Sequence, residues 1–324
     1  MIDGTLQSID GRPALRFERR LAHPVARVWR AVTAPEELAR WFVAPVAWTP
    51  ALGETFEGGG QRGEIVALEE PTLLRWTWGE ERYSFELASD GDGCLLVFTH
   101  VFDARYGPAA QHAAGWETYL DRLDAHLAGG ALSEQAAHAC IGELHERYAA
   151  RFGQDPAPGR RMIASMAFRD LTLDSGGEAG AGAVRLRLER RYRHPVERVW
   201  RAISEPGELA HWFVADAPLE VVERVEPRLL VATWFGDAVR FELQPDGDGC
   251  LLVFTHAFAD RDVAARTAAG WDRCFARLDA LLAGVPMSES VSLELWPLVH
   301  ERYAETFEVD PQIGRAAFAA HPPS

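Results

Sequence analysis

The side chains best placed to do chemistry in this sequence lie where strand alternation sets a polar group among aromatics. From Cys94 to Phe102, alternation puts Cys94, Leu96, Phe98, His100 and Phe102 on one face. An imidazole in that company either hydrogen-bonds or shuttles a proton for a ligand, or is a semi-buried histidine satisfied by backbone or a carboxylate. Arg19 is likewise in phase with Leu15, Phe17 and Leu21, and Arg190 repeats the arrangement with Leu186, Leu188 and Tyr192. A buried guanidinium left unpaired is costly, so each arginine needs an acceptor. An internal salt bridge is the expected one, and a ligand carboxylate is the functional alternative. Trp41, Phe42, Trp76, Trp78, Phe85 and Trp116 are dense for one small domain. Such rings line apolar ligand pockets and fill cores equally well.

Other chemistries find no support in the residues. HERYA at His145 lacks the second histidine of a zinc-protease helix, and there is no GxSxG, Walker or GxGxxG arrangement. DGDG at Asp90 is followed by CLLVF where a calcium loop needs further acids, so a hairpin turn is expected. No metal site, catalytic dyad or cofactor site is assigned. The chain of 324 residues carries a formal charge of −15, spread over both halves, which disfavours nucleic-acid and anionic-membrane partners. All its basic residues are arginine, and it has no asparagine, which removes Schiff-base lysine chemistry and N-glycosylation. The four cysteines sit in apolar runs without CxxC spacing and are expected to be reduced core residues. With no basic, apolar start and no run of membrane-spanning length, a cytoplasmic location is expected.

What must position these residues is a repeat. DGDGCLLVFTH occurs at Asp90 and again, unchanged, at Asp246, an offset of 156 residues. Upstream, HPVARVWRAV at His23 matches HPVERVWRAI at His194, and PEELARWFVA at Pro35 matches PGELAHWFVA at Pro206, with an offset of 171. Between those blocks the second copy has therefore lost 15 residues, most of AWTPALGETFEGGGQRG. Downstream, GWETYLDRLDAHLAG at Gly115 matches GWDRCFARLDALLAG at Gly270, and HERYA recurs at His300. The boundary is placed near Ser165, giving copies at 1–165 and 166–324. The Gly-rich stretch from Leu171 is read as a hairpin loop inside the second copy.

Within the first copy, Thr5 to Ile9 and Ala14 to Leu21 flank Asp10-Gly11 and read as a hairpin. Val25, Val28, Trp29 and Val32 mark a short helix, and Pro35 opens another with Glu36 and Glu37 in its first turn. Five strands of a meander follow, at Glu54–Glu57, Gly63–Glu69, Leu73–Trp78, Tyr83–Leu87 and Cys94–Phe102. Ala113, Trp116, Tyr119, Leu120, Leu123 and Leu127 recur at helical steps over Ala110 to Leu127, and a final helix is expected over Glu134 to Arg151. The architecture is α+β, a sheet with one face on a long helix and two short helices filling the end.

The order of hairpin, HPxxRVWRA, PxxLAxWF, Gly-rich turn, strand ending in FTH, and GW opening the last helix resembles the activator-of-heat-shock-protein-ATPase homologues of the SRPBCC, or START-like, proteins. That resemblance implies two tandem helix-grip domains, each a curved antiparallel sheet wrapped on a long C-terminal helix. It also brings three functions: binding of a small apolar or aromatic ligand, a co-chaperone or protein-interaction role, and a polyketide-cyclase type of enzyme with His100 as acid or base and Arg19 steering an oxyanion. The leading expectation is ligand binding, with Arg19, Trp41, Phe42, Trp76, Trp78, Phe85, Phe98, His100 and Trp116 as the lining. The first copy should carry the site, with Trp41, Trp76, Phe98 and His100 around a pocket, because the second copy has lost a strand and has Ala232 at the position of Trp76.

Overall fold

In each copy a Trp indole ties two short helices together. The computed structural model describes residues 4–58, 60–166, 171–175, 184–213 and 219–320. The first copy begins with strands β1 (Thr5–Ile9) and β2 (Arg12–Leu21), followed by helices α1 (Val25–Thr33) and α2 (Pro35–Trp41). The Asp10-Gly11 turn has positive φ at both residues, as a tight hairpin requires. Trp41 Nε1 donates to the Ala31 carbonyl at 2.9 Å, which fixes α2 against the end of α1 and accounts for the tryptophan in PxxLAxWF.

Strands β3 (Thr55–Gly58), β4 (Gln61–Glu69), β5 (Leu73–Trp78), β6 (Glu81–Asp90) and β7 (Gly93–Val101) then form the meander. All join in one seven-stranded sheet in the order β1-β2-β7-β6-β5-β4-β3. DGDG makes the β6–β7 hairpin, with Asp90 opposite Gly93. A Cβ on Gly93 would come within 2.4 Å of the Leu21 carbonyl oxygen, so the second glycine of the motif is required by the neighbouring strand rather than by an ion. The long helix α3 (Ala109–Leu127) buries Ala113, Trp116, Leu120, Leu123 and Leu127.

After it come α4 (Glu134–His138), α5 (Ile141–Phe152) and α6 (Ala157–Ala164). The single helix expected over Glu134 to Arg151 is thus two helices, interrupted just before Gly142. The repeat supplies the reason: Gly142 occupies the position of Pro297, and neither residue supports a helix interior.

The second copy repeats the plan with β8 (Thr172–Ser175), β9 (Val184–Tyr192), α7 (Val196–Ser204), α8 (Pro206–Trp212), β10 (Glu220–Val225), β11 (Leu229–Trp234), β12 (Asp237–Asp246), β13 (Gly249–Phe258), α9 (Ala264–Leu282), α10 (Glu289–Leu293), α11 (Trp296–Phe307) and α12 (Pro311–Ala320). Its sheet has six strands among the described residues, in the order β10-β11-β12-β13-β9-β8. Each of these strands has a counterpart in the first copy, and the strand of the first copy without a counterpart among the described residues is β3, which falls in the segment the second copy has lost. β8 pairs with β9 as the hairpin reading expects, while most of the Gly-rich loop, at 176–183, lies outside the described residues. Cys94, Cys140, Cys250 and Cys274 are all buried.

The chain divides into two compact units, 1–137 with 151–155, and 138–150 with 156–324. This differs from a division at Ser165, because residues of α5 and α6 pack into the second unit. Glu143 of α5 lies 3.1 Å from His194, and Arg302 of α11 donates to the carbonyl of Ala164. His145, Glu146, Arg160 and Ile163 share with Asp272, Asp279, Leu295 and Val299 the walls of a cavity of about 30 Å3. That is room for a water or two, not for an organic ligand.

HERYA has its explanation here. Glu146 takes a bidentate pair from Arg160, both contacts at 2.6 Å, and Glu301 takes one from Arg315 fourteen residues on. In both hairpins the imidazole of the motif lies on a glycine of the next helix. A Cβ on Gly159 would stand 2.0 Å from His145 Nε2, and one on Gly314 1.9 Å from His300 Nε2. Gly159→Ala and Gly314→Ala should therefore each destabilise the second unit by about 1–3 kcal/mol, as overpacking does. Urea unfolding would measure this, and adding His145→Ala to Gly159→Ala should recover part of the loss. Unchanged midpoints for both glycine variants would contradict the clamp.

Candidate functional site

One cross-strand row of the first sheet builds the site. Leu15 of β2 lies opposite His100 of β7, His100 opposite Tyr83 of β6, Tyr83 opposite Trp76 of β5, and Trp76 opposite Ile65 of β4. Because directly opposed residues share a face, their rings stack along the row. Tyr83 lies over His100 at 4.4 Å and 8°, and Trp76 over Tyr83 at 5.3 Å and 14°.

His100 is 1% exposed and both its nitrogens are engaged. Trp116 Nε1, which can only donate, reaches Nδ1 at 2.9 Å, so Nδ1 is the acceptor and the proton sits on Nε2. That N–H points at Glu81 Oε2, 3.0 Å away, and Tyr83 Oη donates to the same oxygen at 2.6 Å. Burial holds the His100 pKa below its usual value, and the imidazole is neutral. Burial pushes Glu81 the other way, but the hydrogen bonds from His100 and Tyr83 outweigh it and keep the carboxyl below its usual range, hence ionised. His112 of α3 meets the His100 ring edge-on at 5.6 Å, and burial together with the neighbouring His100 lowers its pKa to about 4. Three buried polar atoms in this neighbourhood have no hydrogen-bond partner among the described residues: Glu81 Oε1, His112 Nε2 and Trp76 Nε1.

The other residues singled out in the sequence fall into two groups. Trp41, Phe42, Trp78, Phe85, Phe98 and Trp116 are buried and pack on one another. Phe98 lies 4.5 Å from Trp116 and 5.1 Å from Phe85, Trp41 meets Phe42 at 5.3 Å, and Phe42 stacks on Trp78. Arg19 lies beyond Phe98 from His100 and donates to Glu117 Oε1 at 2.7 Å, so its acceptor is internal. A larger depression, about 350 Å3, is on the opposite face of the sheet, between Arg16, Arg75, Arg82 and Thr99. Glu81, Tyr83 and His112 were not picked out in the sequence. Glu81 opens its strand beyond the run read as β6, Tyr83 reads as one more core aromatic, and His112 stands in the first turn of α3, where periodicity alone does not mark it.

The family model described as "Activator of Hsp90 ATPase homolog 1-like protein" matches residues 22–128 and 217–283, more than half of the chain and a part of each copy. The chain belongs to this family. Among solved structures, the crystal structure of CalU16 from Micromonospora echinospora is 26% identical with a TM-score of 0.40, covering 46% of this chain and 96% of that one. The solution NMR structure of the same protein is 24% identical with a TM-score of 0.41 over 47% of this chain and 93% of that one. EF2215 from Enterococcus faecalis, a conserved protein of unknown function, is 18% identical with a TM-score of 0.40 over 46% of this chain and 90% of that one. No curated protein sequence matches the chain.

The two activator-homologue copies keep different parts of the site. Trp271 Nε1 donates to His256 Nδ1 at 2.9 Å, as Trp116 does to His100. Arg190 is paired with Asp279 at 2.7 Å and with Asp272, the counterpart of Glu117, at 3.4 Å. The row beside the histidine is different. Tyr83 is replaced by Val239, Trp76 by Ala232, His112 by Thr267, and Glu81 by Asp237, which lies 3.7 Å from His256 Nε2 and makes no hydrogen bond to it. The indole of Trp234 moves into the space, 6.0 Å from His256 and 5.4 Å from Trp271.

Two outcomes follow from the buried charges. Glu117→Ala removes a buried partner of Arg19 and should cost about 3–5 kcal/mol in urea unfolding, with Glu117→Asp recovering part of it. A change under about 1 kcal/mol would contradict a buried pair. Because the His112 pKa is depressed, its contribution to stability is present above pH 6.5 and is lost as pH falls through about 4. His112→Thr should therefore flatten the fall in melting temperature across that window, by up to about 3 kcal/mol of stability. Parallel curves for variant and parent would show that His112 is not held neutral.

Proposed function

We propose that the first copy binds a small apolar or aromatic ligand that carries a hydrogen-bond donor. The observation that carries this reading is the unfilled hydrogen-bonding capacity of Glu81 Oε1 and His112 Nε2 beside the Trp76–Tyr83–His100 stack, an arrangement whose members are all replaced in the second copy except the histidine. A hydroxyl or N–H on the ligand would be accepted by Glu81, and the aromatic side chains around it would take its apolar body. His100 is a positioning residue in this reading, since it presents Nε2–H to Glu81 and leaves Oε1 free. Binding is favoured over acid–base turnover because both nitrogens of His100 and the Arg19 guanidinium are engaged by the protein's own groups. Most of the nine residues expected to line a pocket then support the site from behind, and Trp76, Trp78, His100 and Trp116 remain nearest to it.

The test begins with native mass spectrometry of protein purified from its own host, to identify a retained small molecule. Calorimetric titration of that molecule should then show affinity reduced about tenfold or more by Glu81→Asp and by His112→Thr, each of which installs the second copy's residue. Asp237→Glu in the second copy should leave affinity unchanged. Equal losses from first-copy and second-copy substitutions, or no retained molecule, would remove the assignment.

A further inference from the structure

Among the described residues the second sheet has no counterpart of β3, and what would fill that place can be read from the first. In the first copy Ile65 faces the outer strand with both backbone groups: its N–H donates to the Glu54 carbonyl at 2.9 Å, and its carbonyl accepts from Gly53 at 2.8 Å. The Trp78 indole N–H donates to the Gly58 carbonyl at 2.9 Å, and Phe56 packs against Trp48 and Trp78. The covered edge is thereby sealed, and Ile65 is fully buried.

Val221 stands in the place of Ile65 in the second copy and has the same register, opposite Ala232 as Ile65 is opposite Trp76. Its N–H and carbonyl therefore point outward from β10, the edge strand. Val221 is 55% exposed, and Val222 and Val225 are exposed beside it. Trp234, the counterpart of Trp78, has its Nε1 buried without a partner among the described residues, none of which supplies the carbonyl that Gly58 gives Trp78. Phe235 follows it, 77% exposed at φ 52°, where the first copy has Gly79 at φ 59°. A bulky side chain at a left-handed position is disfavoured by its own backbone, so an exposed phenyl held there next to the open edge points to a use for it.

We infer that the β10 edge and Trp234 form an acceptor site for an extended strand of a partner polypeptide, added antiparallel as β3 is in the first copy. The partner is specified by what β3 supplies. Its backbone bonds both groups of Val221, a backbone carbonyl accepts from Trp234 Nε1 once the indole swings off Trp271 to the place Trp78 holds in the first copy, and an aromatic residue two positions before that carbonyl takes the place of Phe56, next to Trp234 and Phe235. This is recognition by strand addition, with main-chain hydrogen bonds giving affinity and the aromatic giving specificity. It is independent of the ligand site proposed for the first copy.

The probe is the segment whose counterpart the second copy lacks, a fluorescein-labelled peptide of the sequence Ala47 to Gly58. Added to the full-length protein, it should give a saturable rise in anisotropy. Val221→Pro should abolish that rise. A proline there removes an N–H that faces away from β11 and so is tolerated at an edge, which a melting curve would verify. Trp234→Phe, which keeps the ring but not the N–H, should weaken binding roughly tenfold, and a peptide with Phe56→Ala should weaken it similarly. Absence of binding, or binding unchanged by Val221→Pro, would overturn the inference. A dimer of the free protein that Val221→Pro converts to monomer would also overturn it, since the edge would then be closed by a second copy of this chain.

Discussion

A tryptophan N–H aimed at a histidine nitrogen is the contact on which each half of this molecule is built. It joins the long helix to an interior strand of the sheet, and it explains why GW and FTH are among the motifs the two copies hold in common. A buried indole needs an acceptor and a buried imidazole needs a donor, so each satisfies the other in an interior where an orphan costs about 1–3 kcal/mol. The bond also has a chemical consequence beyond its strength. By occupying Nδ1 it decides that Nε2 bears the proton, and so it decides what the histidine can offer on its other side. In the first copy that side meets a carboxylate; in the second it meets only a distant Asp237.

The two copies therefore illustrate how one scaffold separates its structural from its variable parts. The Trp–His bond, the buried arginine with its acid, and the indole that locks the two short helices occur in both. What varies is the row of residues running from the histidine to the sheet edge, together with Glu81 and His112 beside it. Along it Tyr83, Trp76 and Ile65 become Val239, Ala232 and Val221, each one smaller. The change matches the loss of β3, because large rings at the end of that row are stabilised only when Phe56 and Trp48 cover them. With the cover gone, Trp234 turns inward onto Trp271 and the row contracts.

Much of the fold was legible in the sequence because its signals were local. The Asp-Gly turn, the Pro35 helix start, the alternation in β7 and the spacing of Trp116, Leu120, Leu123 and Leu127 each state an element without reference to the rest. The missing strand was legible from the shift in repeat offset alone. The site was less so, since hydrogen-bond partners that meet across strands leave no periodic trace. Glu81 and His112 lie 31 residues apart in sequence, and neither interrupts an apolar pattern. Arg19 was marked by its phase, but its partner Glu117 was hidden directly behind the conspicuous Trp116. The break in the helix after His138 was missed for a different reason: glycine at 142 weakens a helix without forbidding it, and only the proline at 297 makes the break obligatory.

Helices α5 and α6 belong by repeat to the first copy and by packing to the second unit. A chain emerging from the ribosome would therefore release them well before α9 and α11, on which they come to lie. At about 5–20 residues per second, the interval is on the order of ten seconds. During that time Ile141, Leu144, Tyr148 and Ile163, all buried at the end, have no finished surface to rest on. The two halves are thus not beads on a string completed one after the other. The first leaves the tunnel holding out a piece of the second, and the later half matures around a hairpin that was delivered early.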